Sequence, residues 1–576
     1  MSAPTRRSTP GSDTTTGLIL VAGLMGVGLL LAVGAWVGLK VADLVDHTSA
    51  AAGLSPVGAL AGASRGKVAW PAAATWGAAA FGLVVLLLVV AVAAMWSRRG
   101  RSRTRVDVAS KYMAKGAALR PLTKAHVAAT ARRLGAPVDP PGLPIAAALP
   151  ARVELWQSWE DVALDIWGPR SGKTTSRAVP MILAAPGAVL ATSNKRDIVD
   201  ATRDPRALRS GEAPWVFDPQ ALVDERPTWF WNPLSYVVDE VKAASLAGIF
   251  ADATRRPGAR SDAYFDGAAL DLLTGLLLAA ARDGRPISTV YRWLNDPNDD
   301  TAARILNTHG DELVAAGLRD VMRAPDKQRA GVYGSAKQMV GFLTNRQALQ
   351  WAEPSAGRRE FRPTSFVRSS GTLYSLSKEG HGSAAPLVTA MTVAVTEAAE
   401  EYAKTLAGGR LATPFVVVLD EAANVCRWSG LPNMYSHYGS RGICVDTLLQ
   451  SWSQGVEVWG REGMNKLWSA ATVRVIGRGV AEADFLAQVS RLIGEYERQT
   501  TSTSSSRYGG GSTSHQTTKD QVLDVSDLAA LPTGRVIVLA SGVPPVLAAT
   551  RPWMESPDAE AVRASIAAHE PKGALL

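Results

Sequence analysis

Cysteine is almost absent from this chain, whose 576 residues include only Cys426 and Cys444. Two cysteines cannot hold a metal cluster by themselves, and they exclude the disulfide framework that stabilises many small secreted domains. The low cysteine content therefore indicates that most of the chain folds in a reducing cytosol. The length also exceeds one ordinary hydrophobic core, which predicts two or three domains.

Charge is missing from two long segments near the N-terminus, residues 14–39 and 68–97. Each segment is longer than the roughly 20 residues that a helix needs to cross the hydrocarbon core of a bilayer. We therefore expect transmembrane helices over about 16–39 and 72–96. A cleaved signal peptide is the competing interpretation of the first segment, but its apolar run is too long for one.

Positive charge flanks the two predicted spans unequally. Arginines precede the first span and follow the second, at Arg6, Arg7, Arg98, Arg99, Arg101, Arg103 and Arg105. The loop between the spans carries both signs, with Lys40, Asp43, Asp46, Arg65 and Lys67. Because Lys and Arg concentrate on the cytoplasmic side of a membrane, we expect both termini in the cytoplasm and a membrane anchor over residues 1–105. Much of the formal net charge of +9 lies in this anchor, so charge alone does not indicate nucleic-acid binding.

Beyond the anchor, short apolar runs alternate with helical segments. The runs are residues 162–166, 188–192, 215–217, 372–375, 415–419, 443–448, 472–476 and 536–540. Such alternation is typical of an α/β fold around a largely parallel sheet. We expect one α/β domain that comprises residues 151–245 and 351–545.

The alternation is interrupted between the two halves of this domain. Residues 246–350 carry apolar side chains at helical spacing and contain no strand-like run, which predicts an inserted all-α domain. Its leucine-rich stretch contains Asp271 and ends at Arg282. We therefore expect a core helix there rather than a third membrane span.

Three further segments are assigned from composition. Residues 106–150 are rich in Ala, Arg and Pro and predict a linker with short helices. Residues 499–518 are rich in Ser, Thr and Gly and cannot bury much apolar surface, which predicts a flexible loop. Residues 546–576 are expected to be a C-terminal tail.

One strand-to-helix junction carries a phosphate-binding motif. The apolar run that ends at Trp167 leads into Gly168, Pro169, Arg170, Ser171, Gly172, Lys173, Thr174 and Thr175. In such a loop, backbone N–H groups cradle phosphates, the lysine reaches the terminal phosphates and the hydroxyl after it holds Mg²⁺. We expect the loop to bind a nucleoside triphosphate, with ATP and Mg²⁺ as cofactors. The start is irregular, because the pattern G-x-x-x-x-G-K-[ST] requires glycine where this chain has Trp167.

A second apolar run, residues 415–419, ends in the two carboxylates Asp420 and Glu421. Phosphoryl transfer depends mainly on positioning and charge neutralisation. We expect Asp420 to orient Mg²⁺ through its water shell and Glu421 to polarise the attacking water. The next run ends at Gln450, which is placed to sense the terminal phosphate or position water. Arg441 precedes that run and could act as an arginine finger in a neighbouring subunit, although a solvent-facing arginine is nearly as compatible with the sequence.

These motifs, in this order, resemble the TraG/TraD-like coupling proteins of type IV secretion and conjugation. The resemblance extends over roughly residues 150–545 and includes residues 190–197, 216–219, 231–234 and 449–451. It implies a RecA-like P-loop ATPase domain with an inserted all-α domain, preceded by two transmembrane helices.

The resemblance also implies a function and site roles. Proteins of this kind assemble as hexamers in the bacterial cytoplasmic (inner) membrane and couple single-stranded DNA, with its attached relaxase, to the type IV secretion channel. By position, Lys173 and Thr174 match the nucleotide and Mg²⁺ ligands, Asp420 and Glu421 the hydrolytic residues and Gln450 the glutamine. Arg441 is a looser match to the finger.

Two other functions are compatible with the motifs. One is an FtsK-like motor for double-stranded DNA or for secreted protein, against which the Asn232, Pro233 and Leu234 signature and the helical insertion argue. The other is a docking receptor whose nucleotide site is a switch with little turnover, and the intact Asp420 and Glu421 pair argues against it.

Overall fold

The computed structural model of the chain describes residues 13–47, 49–99, 104–254, 263–378, 384–505 and 511–571. The chain divides into two compact units, residues 1–103 and 104–576. Among the arginines used to predict the orientation, Arg6, Arg7, Arg101 and Arg103 lie outside the described residues.

The described part of the first unit contains three helices, α1 (Asp13–Val45), α2 (Pro56–Ser64) and α3 (Ala72–Arg99). Helices α1 and α3 approach each other closely at small residues. A Cβ atom added to Gly38 would lie 2.4 Å from the carbonyl oxygen of Ala74, and one added to Gly77 would lie 2.7 Å from Cβ of Val41. Apolar side chains such as Leu87 are exposed on the other faces, as expected of helices that contact lipid.

Three described helices are long and apolar enough to cross a membrane: Met25–Val45, Ala72–Ala91 and Tyr264–Arg282. The first two overlap the predicted spans, 16–39 and 72–96. The third lies in the second unit, where Leu272, Leu273 and Leu277 are fully buried among other protein residues. Burial against protein accounts for its apolar composition, in agreement with the prediction of a core helix.

Among the residues that the structure describes, the second unit contains fifteen strands. They are β1 (Leu143–Ala148), β2 (Val153–Gln157), β3 (Ala163–Ile166), β4 (Val189–Ser193), β5 (Trp215–Phe217), β6 (Trp229–Phe230), β7 (Arg359–Glu360), β8 (Thr372–Leu376), β9 (Phe415–Leu419), β10 (Ile443–Leu449), β11 (Val473–Ile476), β12 (Glu495–Ser505), β13 (Gly511–Gln521), β14 (Arg535–Ala540) and β15 (Val546–Ala549).

Eleven of these strands form one sheet in the order β2-β1-β15-β14-β11-β3-β10-β9-β4-β8-β5. From β11 to β5 all neighbours are parallel. The strands β14, β15, β1 and β2 continue the sheet in antiparallel pairs. The central strands are buried on both faces, which explains their continuous apolar runs.

Nineteen helices of the second unit are described. They are α4 (Arg105–Ala109), α5 (Lys124–Arg133), α6 (Val179–Ala184), α7 (Asp197–Ser210), α8 (Glu240–Thr254), α9 (Ala263–Arg282), α10 (Ser288–Asn295), α11 (Thr301–Thr308), α12 (Glu312–Arg323), α13 (Asp326–Met339), α14 (Arg346–Ala352), α15 (Pro363–Phe366), α16 (Ala385–Lys404), α17 (Ala422–Val425), α18 (Leu431–Ser440), α19 (Trp452–Ala470), α20 (Ala483–Ile493), α21 (Val525–Ala529) and α22 (Ala559–His569). Helices α8 to α14 follow one another with no strand among the described residues between them, in the segment where the sequence predicts an all-α insertion.

Three segments differ from the composition-based expectations. Strand β1 lies within the expected linker, and β15 lies within the expected tail, yet the two pair with each other in the large sheet. Both are short and rich in alanine, so their composition resembles that of a helix or linker. The expected flexible loop, 499–518, includes most of β12 and β13, which pair antiparallel from Glu495 and Gln521 to Ser505 and Gly511, while its residues 506–510 lie outside the described residues. Threonine is β-branched and favours strands, and backbone pairing needs no apolar side chains.

Candidate nucleotide site

The candidate site forms where parallel strands of the large sheet end together. Leu449 of β10 and Ile476 of β11 each lie beside Ile166 of β3. Strands β9 and β4 run alongside in the same direction. Because the carboxyl ends of parallel strands meet at one edge, the residues that follow them converge there.

The phosphate-binding loop follows β3 and leads directly into a helix. The hydroxyl of Ser171 donates to the carbonyl of Gly168 at 2.5 Å, and that of Thr175 donates to the carbonyl of Gly172 at 3.1 Å. Gly172 has φ of +88°, a conformation that favours glycine. The turn aligns the loop with the N-terminus of the following helix, where unpaired N–H groups attract anions.

The helix after the loop begins with the π-helical turn Thr174–Ala178 and continues as α6. The backbone N–H of Val179 donates to the carbonyl of Thr174, which is the wider hydrogen-bond spacing of a π-turn. Pro180 follows immediately and has no N–H to donate. The π-turn therefore lies where the proline interrupts the regular α-helical pattern.

Lys173 forms the centre of the site. Its Nζ atom lies 2.9 Å from Oδ1 of Asp420 and 2.8 Å from Oε1 of Glu421. Side-chain exposure is 8% for Lys173 and 4% for each carboxylate, so water screens these ion pairs little. The structure thus brings together a lysine and two acidic residues that are nearly 250 positions apart in the sequence.

The charges in this cluster shift one another's pKa. Burial lowers the pKa of Lys173, but the carboxylates of Asp420 and Glu421 outweigh burial and raise it above the usual value. Burial raises the pKa of Asp420, a shift that Lys173 opposes and that Glu421 and Asp197 reinforce. Lys173 therefore remains a cation that can exchange its carboxylate partners for phosphate oxygens.

Glu421 has an unusual backbone and a free oxygen. Its φ of 53° and ψ of 41° lie in the left-handed region, which is uncommon for residues other than glycine and clusters at functional sites. Its Oε1 atom accepts a hydrogen bond from Nε2 of Gln450 at 2.7 Å. The buried Oε2 atom has no hydrogen-bond partner among the described residues. That oxygen is available to accept a hydrogen bond from a water molecule.

The arrangement fits a magnesium nucleotide. No cluster of three or more His, Cys, Asp or Glu residues that could hold a metal occurs in the described part of the chain. Mg²⁺ commonly uses one or two carboxylates together with substrate phosphates and water. Asp420 lies beside the loop lysine, and Thr174 begins the helix after it. These two residues are the ones that would share Mg²⁺ with bound phosphates.

Arg441 lies at the opposite end of its strand. It follows α18 and precedes β10, whereas Gln450 follows β10. A seven-residue strand spans about 20 Å at roughly 3.3 Å per residue. The guanidinium of Arg441 donates to the carbonyl of Gly409 at 3.3 Å. The structure therefore does not bring Arg441 into the site of its own chain, and its role in a neighbouring subunit stays a prediction.

Asp197 is a site residue to which the motif analysis assigned no role. It begins α7, four positions after the end of β4. Burial raises its pKa, and the hydrogen bond from its own neighbour Ile198 and the charges of Lys195 and Lys173 oppose that shift. Asp197 thus adds a third carboxylate near Lys173. The sequence feature that could have identified Asp197 is a carboxylate that follows a predicted parallel strand.

A buried ionic cluster beneath the loop was also missed. Arg177, which is fully buried, donates through Nε to Asp165 at 2.7 Å and through Nη2 to Asp446 at 2.7 Å. It also donates to the carbonyl of Pro144 at 2.7 Å and to Gln157 at 3.3 Å. Burial and the neighbouring Asp165 raise the pKa of Asp446 to about 8, and Arg177 opposes the shift. The cluster ties the helix after the loop to β3 and β10.

Sequence comparison identifies a family for part of the chain. Residues 414–533 match the protein-family model described as the TraM recognition site of TraD and TraG. The matched region begins just before β9 and includes Asp420, Glu421 and Gln450. A search of the curated proteins gave no match.

Comparison with solved structures identifies the fold. A bacterial conjugative coupling protein, TrwBdeltaN70 in its unbound monoclinic form, matches with a TM-score of 0.52 at 15% identity, covering 71% of this chain and 88% of that one. A trigonal form in complex with sulphate matches with a TM-score of 0.53 at 14% identity, covering 76% and 94%. TrwB in complex with ADP and Mg²⁺ matches with a TM-score of 0.51 at 14% identity, covering 71% and 89%.

These findings confirm two predictions from the sequence. The resemblance to TraG/TraD-like coupling proteins is confirmed over residues 414–533 by the family match. The predicted fold, a RecA-like ATPase domain with an all-α domain and apolar N-terminal helices, is confirmed as well.

Proposed function

We propose that this chain, which is TraG/TraD-like in residues 414–533 and has the TrwB fold, is a membrane-anchored ATPase that serves conjugative transfer. It would couple single-stranded DNA and its attached relaxase to a type IV secretion channel, as a homohexamer in the bacterial cytoplasmic membrane. The observation that carries the proposal is the contact of Lys173 with Asp420 and Glu421, with Gln450 on the same carboxylate.

ATP and Mg²⁺ are the proposed cofactors. Solved structures of TrwB contain ADP with Mg²⁺, a non-hydrolysable ATP analogue or a non-hydrolysable GTP analogue. In this chain the loop of residues 168–175 would hold the phosphates, and Thr174 and Asp420 would hold the metal. Bound Mg²⁺ supplies neutralisation of the charge that develops on the phosphates.

The residues of the chain would act in a defined order. On nucleotide binding, Lys173 exchanges the carboxylate oxygens of Asp420 and Glu421 for phosphate oxygens, which releases Glu421. Glu421 then accepts a hydrogen bond from the attacking water through its free oxygen. Gln450 keeps the carboxylate oriented by donating to its other oxygen. Arg441 of one subunit would stabilise transition-state charge in the site of the next.

The proposed function is tested by nucleotide turnover of the purified full-length chain in lipid nanodiscs. We expect ATP hydrolysis that increases with single-stranded DNA. Lys173→Ala should abolish it, because a phosphate ligand is lost. Glu421→Gln should reduce it by about 100-fold or more, because the base is lost while shape is kept. Control variants at exposed positions of α19, Lys466→Ala and Glu462→Gln, should leave turnover unchanged.

The other outcomes separate the alternatives. Stronger stimulation by duplex DNA than by single-stranded DNA would favour the FtsK-like motor. Tight ATP binding with negligible turnover, with or without DNA, would favour the docking receptor. Absence of ATP binding by the wild-type chain would contradict all three functions.

A further inference from the structure

The phosphate-binding loop of this chain begins with a tryptophan where the motif has a glycine. Trp167 is 1% exposed, so its indole lies inside the protein beneath the start of the loop. Its backbone N–H donates to the carbonyl of Leu449, at the end of β10, at 3.0 Å. Burial of the side chain and the backbone hydrogen bond therefore fix Trp167 in place. The loop begins without the conformational freedom that a glycine would provide.

The indole of Trp167 packs directly on Gly477, which follows β11. A Cβ atom added to Gly477 would lie 2.3 Å from Cδ2, 2.5 Å from Cε3 and 2.6 Å from Cγ of that ring. The backbone N–H of Gly477 donates to the carbonyl of Ile166 at 2.9 Å. Only a residue without a side chain allows the indole to occupy this position.

The next residue of the loop meets the same segment through backbone atoms. The N–H of Gly168 donates to the carbonyl of Arg478 at 3.0 Å. A Cβ atom added to Gly168 would lie 2.1 Å from the carbonyl oxygen of Gly479. Gly479 has φ of +85°, which a residue with a side chain adopts at a cost. A side chain therefore has no space on Gly168. On Gly479 a Cβ atom would lie 3.2 Å from Cα of Gly168, a tight contact, and the positive φ would add strain.

We propose that Trp167, Gly477 and Gly479 are positioning residues for nucleotide binding. Together they hold the start of the loop against the ends of β10 and β11. Packing of the indole on Gly477 thereby fixes the loop in a chain whose motif lacks its first glycine. The inference rests on the proposed nucleotide site. It extends that site to a fourth strand, β11, and the glycines that follow this strand belong to no recognised phosphate-binding pattern.

The proposal predicts a steric coupling between Trp167 and Gly477. In Gly477→Ala, the added methyl group must displace the indole, and with it the adjoining Gly168. In a Trp167→Ala background all three clashing ring atoms are absent, which leaves room for the same methyl group. Two residues that act through one contact give non-additive effects, so the cost of Gly477→Ala should depend on the residue at position 167.

The test measures binding of a fluorescent ATP analogue with Mg²⁺ by the full-length chain. We expect Gly477→Ala to weaken binding by about tenfold or more in the wild-type background, and by no more than about twofold in the Trp167→Ala background. Gly317→Ala is the control, because a Cβ atom at Gly317 would meet nothing within 4 Å. Equal weakening in both backgrounds, or affinity within twofold of wild type in Gly477→Ala, would overturn the proposal.

A second measurement needs no nucleotide. Hydrogen exchange of the amides in residues 168–175 should be faster in Gly477→Ala than in wild type or in Gly317→Ala. Unchanged exchange would overturn the positioning role. Faster exchange together with no ATP binding by wild type would support that role and refute the proposed function instead. Should Gly477→Ala fail to fold, Trp167→Ala and the double variant should bind the analogue within about twofold of each other. Clearly weaker binding by the double variant would overturn the proposal.

Discussion

At the scale of single residues, the hydrogen-bond and ion-pair partners of each polar side chain indicate its role in the nucleotide site. Lys173 holds both carboxylates, and Gln450 holds only one oxygen of Glu421. A group that contacts the nucleotide directly affects binding, whereas a group that orients the base affects the chemical step. Replacement of Lys173 should therefore weaken nucleotide binding, whereas replacement of Gln450 should slow the chemical step.

Replacement of Gln450 tests this distinction. We expect Gln450→Ala to lower kcat by about tenfold or more while nucleotide affinity changes little, because Glu421 loses its orienting hydrogen bond. Steady-state turnover and equilibrium ATP binding of the full-length chain check the prediction. The exposed Gln350 serves as a control in Gln350→Ala. A large loss of affinity with unchanged kcat would show that Gln450 contacts the nucleotide instead.

The cluster of Arg177, Asp165 and Asp446 gives a residue-scale prediction about pH. The pKa of Asp446 is raised from an ordinary value of 3.8 to about 8. Between pH 4 and pH 8, roughly, Asp446 keeps a proton in the folded protein that it releases in the unfolded chain. Its contribution to the free energy of unfolding therefore falls as pH rises. The pKa of Asp165 is also raised, chiefly by burial, and Tyr435 lies nearby with a raised pKa.

Asp446→Asn removes this titration and keeps the shape of the side chain. We expect the thermal midpoint of the variant to depend less on pH than that of wild type between about pH 4 and pH 8. The thermal midpoint is measured by tryptophan fluorescence during heating, at a series of pH values. Asp484→Asn, at an exposed position, should retain the wild-type dependence. An identical pH dependence in Asp446→Asn and wild type would contradict a protonated Asp446.

At the scale of elements, the C-terminal helix α22 is an integral part of the second unit. Trp553 and Val562 pack with Val179 and Leu183, which belong to the helix after the phosphate-binding loop. The hydroxyl of Ser565 donates to the carbonyl of Asp200 in α7 at 2.6 Å. Residues 553–569 therefore cover two helices that begin at the nucleotide site.

Removal of the Trp553 side chain should weaken this contact. Trp553 is 8% exposed, and truncation of a buried tryptophan to alanine typically costs about 3 to 5 kcal/mol. We expect Trp553→Ala to lower the thermal midpoint of the full-length chain clearly, whereas Met554→Ala, at a side chain that is 46% exposed, should not. Equal midpoints for the two variants would show that α22 contributes little to the fold.

At the scale of the whole molecule, the two units serve different environments. The first unit exposes apolar helix faces, whereas the second buries its apolar residues around a large sheet. Cys426 and Cys444 are both buried in the second unit, and burial raises the pKa of each thiol to about 12. Reactive thiolates are therefore scarce, which makes engineered cysteines suitable reporters of membrane orientation.

The predicted orientation can be tested in intact bacterial cells. We expect a membrane-impermeant maleimide to label Ser64→Cys, in the exposed end of α2, because the segment between the two spans should face outward. Lys466→Cys, in the second unit, should be labelled only after the membrane is permeabilised. The wild-type chain, which has only its two buried thiols, is the control. Labelling of Lys466→Cys but not Ser64→Cys in intact cells would contradict the cytoplasmic location of the second unit.

The sequence alone determined the features that follow from local pattern. An uncharged apolar run predicts a membrane helix because the bilayer core is about 30 Å thick. The strand runs that lead to Gly168, Asp420 and Gln450 were located correctly because a doubly covered parallel sheet requires continuous apolar strands. The order of these motifs sufficed to indicate the family.

The tertiary structure decided what depends on contacts between distant segments. Alanine-rich β1 and β15 could be recognised only by their pairing with each other in the sheet. The ionic cluster of Arg177 arises because three separate elements converge under the loop. Trp167 departs from the sequence motif, and only the folded structure places Gly477, more than 300 positions later, against its ring. Packing complementarity of this kind has no local signal, since it is a property of two surfaces that meet only after folding.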